Sequence, residues 1–454
     1  MASGTAPRPR AREVGVILGR LPCGPLNAIT DVPGVQVGHV TLIRGGPDQP
    51  GAPVVRTGVT AVLPHPGNVY RERPRAAAFV FNGYGKSVGL AQLGELGVLE
   101  TPILLTNTLA VWTAANALAA HAIARNPEIG RELPAAGDGE AAAGPHVVRR
   151  GREPAGTVNP VVGECSDAYL NDIQGRHVTE ADCLQALEQA SDGKVPEGNV
   201  GAGTGMSCLG FKGGIGTSSR LVSFAEEDGA LVSITLGCLV LANFGRLPDF
   251  RLDGVPVGLE LEAAGWPGAA GPPATVEEER DDGGPSGGSI MIILATDAPL
   301  DARQLTRVAR RATLGLARTG SVGAHGSGDF VLAFSTADPE PAYPDRPLFT
   351  RRVLAEDDRH FGPLFQAAAE ATEEAIINAL FAAETMVGRD GHVRRALPIE
   401  EVVAILRKHG RVPPRRLRRG GPLAGAGGAP VGPDGASVGP KSATGEKSAT
   451  GERE

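Results

Sequence analysis

The chain has 454 residues, 41% of them hydrophobic and 21% charged, an ordinary globular composition with material for a large buried core. Its net charge of -7 leaves no basic footprint for nucleic acid. The most apolar long stretch, residues 103–124, is interrupted by Asn107, Thr108, Asn116 and His121, which excludes a membrane span and predicts a strand followed by a buried helix.

In chain order, the first twenty residues carry basic groups but only a short apolar run, 14–18, and no small-residue cleavage pattern, so no secretory signal is expected. Strands are predicted at 35–42, 59–63 and 76–81, and a helix at 109–125. Residues 131–156 form a polar Gly/Ala-rich insert read as a surface excursion. A helix is predicted over 179–190 with Thr179 as its N-cap. A Gly-rich region, 198–216, precedes a long apolar strand at 231–241. The remaining elements are a strand at 290–296, a helix at 302–318, a strand at 330–336, and helices at 362–383 and 398–409. Residues 411–454 turn to Arg/Pro and then Gly/Ala/Pro, and end in a direct repeat, KSATGE, which predicts a disordered tail. The five cysteines are scattered with no CxxC, as expected of reduced thiols in a cytoplasmic protein, and no histidine has metal-ligand spacing.

The Gly288-Ser289 junction stands out. Upstream, 265–288 is rich in Gly, Pro and acidic residues and predicts a flexible loop. Downstream, Ile290 to Ala295 is uninterruptedly apolar. One reading is a linker followed by a strand that begins with Ser. The other is a serine that cuts its own chain and becomes a free N-terminal nucleophile. After it, Asp301 and Gln304 make a helix start, and Leu305, Val308, Ala309, Ala312 and Leu316 share one face before Gly320 closes the helix. If the flanking strands are parallel neighbours, Ser289, Ser327 and Asp329 converge on one sheet edge. They supply a nucleophile, a hydroxyl relay and a carboxylate that orients a base or binds a substrate ammonium. Gly284-Pro-Ser286-Gly-Gly288 matches the G-x-S-x-G elbow, but the order here is loop then strand, whereas that elbow needs strand then helix. Gly201 to Gly205 and Phe211 to Gly214 complete no phosphate-loop motif and are read as tight turns.

Further motifs give these residues a family context. They are Asn27-Ala-Ile-Thr-Asp-Val-Pro-Gly, Phe81-Asn-Gly-Tyr-Gly-Lys86, Val158-Asn-Pro-Val-Val-Gly-Glu164 and Tyr169-Leu-Asn-Asp172. Ala242-Asn-Phe-Gly245, Ala295-Thr-Asp-Ala-Pro-Leu300 and Gly326-Ser-Gly-Asp329 complete the set. Over nearly all of 13–410 the chain resembles the DmpA-type L-aminopeptidase/D-esterases and β-peptidyl aminopeptidases, a self-processing serine peptidase family. The resemblance implies an α+β fold, a four-layer αββα sandwich similar to N-terminal-nucleophile hydrolases. It also implies one catalytic domain whose 1–288 segment becomes an α chain and 289–410 a β chain after cleavage at Gly288-Ser289. Ser289 would be the nucleophile, Ser327 its hydroxyl partner, Asp329 the acidic group, Asn243 the oxyanion-hole asparagine and Tyr169 a pocket residue. The residue-level alternative for Asn243 is a turn residue at a strand end. No metal or organic cofactor is implied. The expected partners are small peptides, amides or esters with a free amino terminus, and other copies of the chain in a homotetramer. Two other functions are compatible with these residues. One is an acyl transferase similar in architecture to ornithine acetyltransferase, against which Ser289 argues because that family uses Thr. The other is a non-catalytic scaffold that has lost processing.

Overall fold

Strands that are apolar on both faces must be covered on both faces, and this requirement sets the layers. The computed structural model describes residues 8–46, 49, 51–131, 156–225, 229–266, 288–344, 348 and 350–412. Most of the insert, of the pre-cleavage stretch and of the tail predicted above lies outside these residues; of the tail, Arg411 and Val412 are described, and Val412 is buried in the core. The first sheet contains β1 (Gln36–Arg44) and β2 (Val55–Leu63); β3 (Glu72–Gly83) belongs to the second sheet. The helix α1 (Leu90–Leu96), the strand β4 (Ile103–Asn107) and the helix α2 (Val111–Arg125) follow. Next come β5 (Val161–Cys165) and α3 (Glu180–Glu188), with the side chain of Thr179 accepting from Asp182 N at 3.2 Å as the N-cap. The Gly-rich region folds into a tight turn at Gly201–Gly203, then a short ribbon of β6 (Ser207–Cys208) and β7 (Phe211–Lys212).

The second sheet is completed by β8 (Gly214–Ala225), β9 (Leu231–Asn243), β10 (Ser289–Thr296) and β11 (Gly328–Pro341), in spatial order β3-β11-β10-β9-β8. The first sheet runs β1-β2-β4-β5. Between and after these strands lie α4 (Val257–Ala263), α5 (Ala302–Arg318), α6 (Asp358–Ala382), the ribbon of β12 (Met386–Val387) and β13 (Val393–Arg394), and α7 (Ile399–Lys408).

Alternation along β10 shows how the layers stack. Met291, Ile293 and Ala295 meet Val37, Val62, Ile103, Leu105 and Val161 of the first sheet. Ile290, Ile292 and Leu294 meet Leu305, Val308 and Leu316 of α5 and Ala371, Ala375 and Ile376 of α6. On the far side of the first sheet, Val40, Val59, Leu104 and Val162 pack on α2 and α3. The result is helix, sheet, sheet, helix. Each fully buried Leu, Ile or Val contributes roughly 1.5–3 kcal/mol. The α5 start is a reciprocal capping box: Asp301 Oδ1 accepts from Gln304 N at 2.6 Å, and Gln304 Oε1 accepts from Asp301 N at 3.1 Å. Buried charges on α6 are paired. Arg220 bridges Glu370 at 3.1 Å and Glu374 at 2.7 Å, and Arg12 reaches Glu374 at 2.6 Å, which ties the N-terminal segment to the helix. The described residues all belong to one compact unit within Met1–Pro413, and the second unit, Pro414–Glu454, lies outside the described residues. Among the described residues no helix is long and apolar enough to cross a membrane.

Candidate active site

The three central strands of the second sheet bring the predicted residues to one end. β10 and β11 are parallel, with Ser289 level with Gly328 and Ile290 level with Asp329. β9 runs antiparallel to β10 and places Asn243 opposite Ser289. Ser289 therefore stands between the last residue of one strand and the first residue of another. Ser327 and Asp329 flank Gly328, so the convergence expected from parallel strands is present.

Two glycines make this row possible. A Cβ added to Gly288 would lie 2.2 Å from Phe244 Cα and 2.6 Å from Asn243 O. A Cβ on Gly328 would lie 2.8 Å from the backbone of Gly85 and 3.2 Å from Ser289 Oγ. Only a residue without a side chain lets the backbone approach so closely. The half-buried Ser289 Oγ accepts a hydrogen bond from Gly328 N at 3.2 Å, and the same N–H reaches Gly288 O at 3.2 Å.

Ser327 and Asp329 are 3% and 2% exposed, and the Ser327 hydroxyl donates to Asp329 Oδ1 at 2.5 Å. Asp329 Oδ2 is buried without a hydrogen-bond partner. Burial pushes the Asp329 carboxyl up to about 6, against the Ser327 hydroxyl and the Ile290 backbone, which both favour its ionised form. In the uncut chain the Ser327 proton is thus committed to Asp329, and Ser289 takes its hydrogen bond from a backbone amide.

Asn243 is 2% exposed and firmly oriented. Its Oδ1 accepts from Ser207 N at 2.8 Å, and its Nδ2 donates to Ser166 O at 3.0 Å. A carboxamide nitrogen carries two protons, so one remains for a ligand oxygen. Tyr169 stands farther out. Its ring stacks on His392 at 4.5 Å and 9°, and the Arg394 guanidinium lies 3.8 Å from its centre on a second contact. Arg394 Nε then donates to Ser207 Oγ at 3.1 Å, so Tyr169 is linked to Asn243 through Arg394 and Ser207.

Three buried ionisable groups nearby had no role assigned from sequence. Glu164, 2% exposed at the end of β5, accepts from Lys86 N at 2.7 Å and from the Thr108 hydroxyl. Its Oε1 packs against Gly85, which in turn abuts Gly328. A lone carboxylate closing the apolar run Val161-Val-Gly-Glu164 was the available signal. Burial raises Asp167 to about 7 and lowers Lys212 to about 7. Lys212 Nζ is held by the carbonyls of Gly203 at 2.9 Å and Gly213 at 2.8 Å, so the Gly-rich turns cradle an ammonium group. A cavity of about 140 Å³ beside Tyr70 and an open groove of about 850 Å³ beside Arg251 are lined by none of these residues. Of the G-x-S-x-G match, only Gly288 lies within the described residues, and it leads into a strand.

The chain matches the model of peptidase family S58 over residues 27–394. It is 40% identical over 411 residues to the beta-peptidyl aminopeptidase BapA of Sphingosinicella microcystinivorans, covering 90% of this chain and 95% of the relative. It is 38% identical to the protein of that name from Sphingosinicella xenopeptidilytica, covering 89% and 93%. Among solved structures, the PH0078 protein of Pyrococcus horikoshii OT3 superposes with a TM-score of 0.75 at 48% identity, covering 89% of this chain and all of that one. The L-aminopeptidase D-Ala-esterase/amidase of Ochrobactrum anthropi, described as a prototype of the serine aminopeptidases and a variant of the Ntn hydrolase fold, gives 0.73 at 36% identity with the same coverage.

Proposed function

The chain belongs to peptidase family S58, and from that premise we propose that Ser289 cuts its own chain after Gly288 and then works as the N-terminal nucleophile of the mature enzyme. The activity class is that of the family: a self-processing serine aminopeptidase and esterase on an α+β fold of the N-terminal-nucleophile type. The observation that carries the residue assignment is the row Asn243, Ser289, Gly328 at one sheet end, with Ser327 and Asp329 around it.

In the mature form the new α-amine of Ser289 is the base. An unperturbed α-amine has a pKa of about 7.7–8.0, near enough to neutrality to take the hydroxyl proton as Oγ attacks an acyl carbon. The remaining N–H of Asn243 donates to the oxyanion, an interaction worth roughly 3–4 kcal/mol in comparable sites. The unpartnered Oδ2 of Asp329 receives a substrate ammonium group, with Glu164 as a second carboxylate on the side of the first sheet. Tyr169 forms an outer wall, held by Arg394 and His392. Substrates are short peptides, amides or esters with a free amino terminus, a reading supported by relatives named as a beta-peptidyl aminopeptidase and as an L-aminopeptidase D-Ala-esterase/amidase. The processed units assemble as a homotetramer in the cytoplasm, and light scattering of the purified protein at four times the chain mass tests the assembly.

The functional test is N-terminal sequencing combined with turnover. A second N-terminus reading Ser289-Ile-Met-Ile-Ile and release of nitroaniline from aminoacyl nitroanilides are expected, with no release when the substrate amine is acetylated. Equal turnover of acetylated substrates would refute the aminopeptidase assignment.

A further inference from the structure

The rung that joins Gly288 to β11 places a proton donor on the bond to be cut. In a parallel ladder an N–H that points at the neighbouring strand bonds the carbonyl one residue before its level partner. Ser289 is level with Gly328, so the Gly328 N–H meets the carbonyl of Gly288, and the distance is 3.2 Å. That carbonyl is the scissile one. The same N–H lies 3.2 Å from Ser289 Oγ, so one donor touches both the attacking and the attacked group.

On the β9 side no hydrogen bond to Gly288 O is made among the described residues. The Asn243 backbone carbonyl stands on that side, 2.6 Å from where a Gly288 Cβ would be. The Asn243 side chain is engaged with Ser207 N and Ser166 O and makes no hydrogen bond to Gly288 O.

We propose that the backbone N–H of Gly328 is the oxyanion donor of the self-cleavage step. The inference rests on the self-cleavage reading above. Ser289 Oγ bonds to the Gly288 carbonyl carbon, and the former carbonyl oxygen takes the negative charge, facing Gly328 N–H. Collapse breaks the bond from the Gly288 carbon to Ser289 N, which receives the proton given up by Oγ. Water then hydrolyses the Gly288–Oγ ester, leaving a Gly288 carboxylate, the Ser289 hydroxyl, a free α-amine and one proton to bind or release. The sheet fixes the donor before reaction begins, so no reorganisation is needed as charge develops. Gly at 328 serves this geometry, because any Cβ there collides with Gly85.

The test replaces the Gly328 amide by an ester, using glycolic acid incorporated during cell-free translation of the full chain. Intact mass is followed with time beside the wild type. Loss of one oxyanion donor should slow cleavage about 10²-fold or more. Wild-type cleavage with an equally fast ester variant overturns this inference alone; a wild type that never cleaves overturns the self-cleavage reading beneath it. A crystal structure of uncut Ser289→Ala gives an answer that does not depend on the ester variant folding. Gly328 N within hydrogen-bond distance of Gly288 O is expected there. A Gly288 carbonyl turned to Asn243 Nδ2 would overturn the assignment.

Discussion

Replacing Gly288 with Ala should separate the geometry of self-cleavage from the chemistry of its nucleophile. The added methyl would stand 2.2 Å from Phe244 Cα and 2.6 Å from both Phe244 Cβ and Asn243 O. Two of these three atoms are backbone at the end of β9, which cannot swing aside like a side-chain tip. To reach an ordinary contact of about 3.4 Å, the Gly288 backbone must retreat by roughly 1 Å, taking its carbonyl carbon from Ser289 Oγ and its oxygen from Gly328 N. Misplacement on that scale costs about 10²-fold in rate, or roughly 2.7 kcal/mol of barrier. The assay is a time course of intact mass for freshly translated Gly288→Ala beside wild type. A companion pair, Ser289→Ala with and without Gly288→Ala, stays uncut and reports the cost of the methyl to folding, expected at about 1–3 kcal/mol in urea unfolding. Cleavage of Gly288→Ala at the wild-type rate would refute the argument that close approach to Phe244 aligns the scissile bond.

Other outcomes follow from the same site. Asn243→Ala should lower kcat/KM of the processed enzyme by about 10²–10³ through loss of the oxyanion donor, read with an aminoacyl nitroanilide. Arg394→Ala should lower kcat/KM by about 10-fold, because its stack on Tyr169 is worth roughly 0.5–2 kcal/mol and its Nε also holds Ser207. Asp329 is raised to about 6 in the folded, uncut chain from an ordinary value near 3.8, so the folded state holds the proton more tightly than the unfolded one. Its contribution to stability is therefore greatest below about pH 4 and is lost as pH rises to about 6. In urea titrations of uncut Ser289→Ala, adding Asp329→Asn should flatten that fall, and an unchanged slope would contradict the burial argument.

The segment from Ser289 to Asp329 was legible because its signals are local. An uninterrupted apolar run needs cover on both faces, Asp301 with Gln304 makes a capping box, and Leu305 to Leu316 keep one face. The parallel pairing then follows from the intervening helix, and with it the meeting of Ser289, Ser327 and Asp329. β8 was hidden because Gly214 and Gly216 resemble loop residues. In the fold Gly216 lets α6 approach, with Ala375 O 2.0 Å from where a Cβ would stand. The placement of Asn243 opposite Ser289 depends on an antiparallel register, which spacing alone does not reveal; its candidacy came from the family pattern. The clamp on Tyr169 joins residues more than 220 positions apart through the β12–β13 ribbon, and no local pattern announces such a contact. Glu164 was visible as a residue but not as a neighbour of the site, because it arrives from the other sheet.

The central claim is that Ser289 cuts the chain that carries it, and intact mass of the purified protein tests it most directly. Wild type should give two fragments that part between Gly288 and Ser289, and Ser289→Ala should remain whole. A wild-type chain that stays full length on storage, or a Ser289→Ala chain that still divides at this bond, would contradict the account.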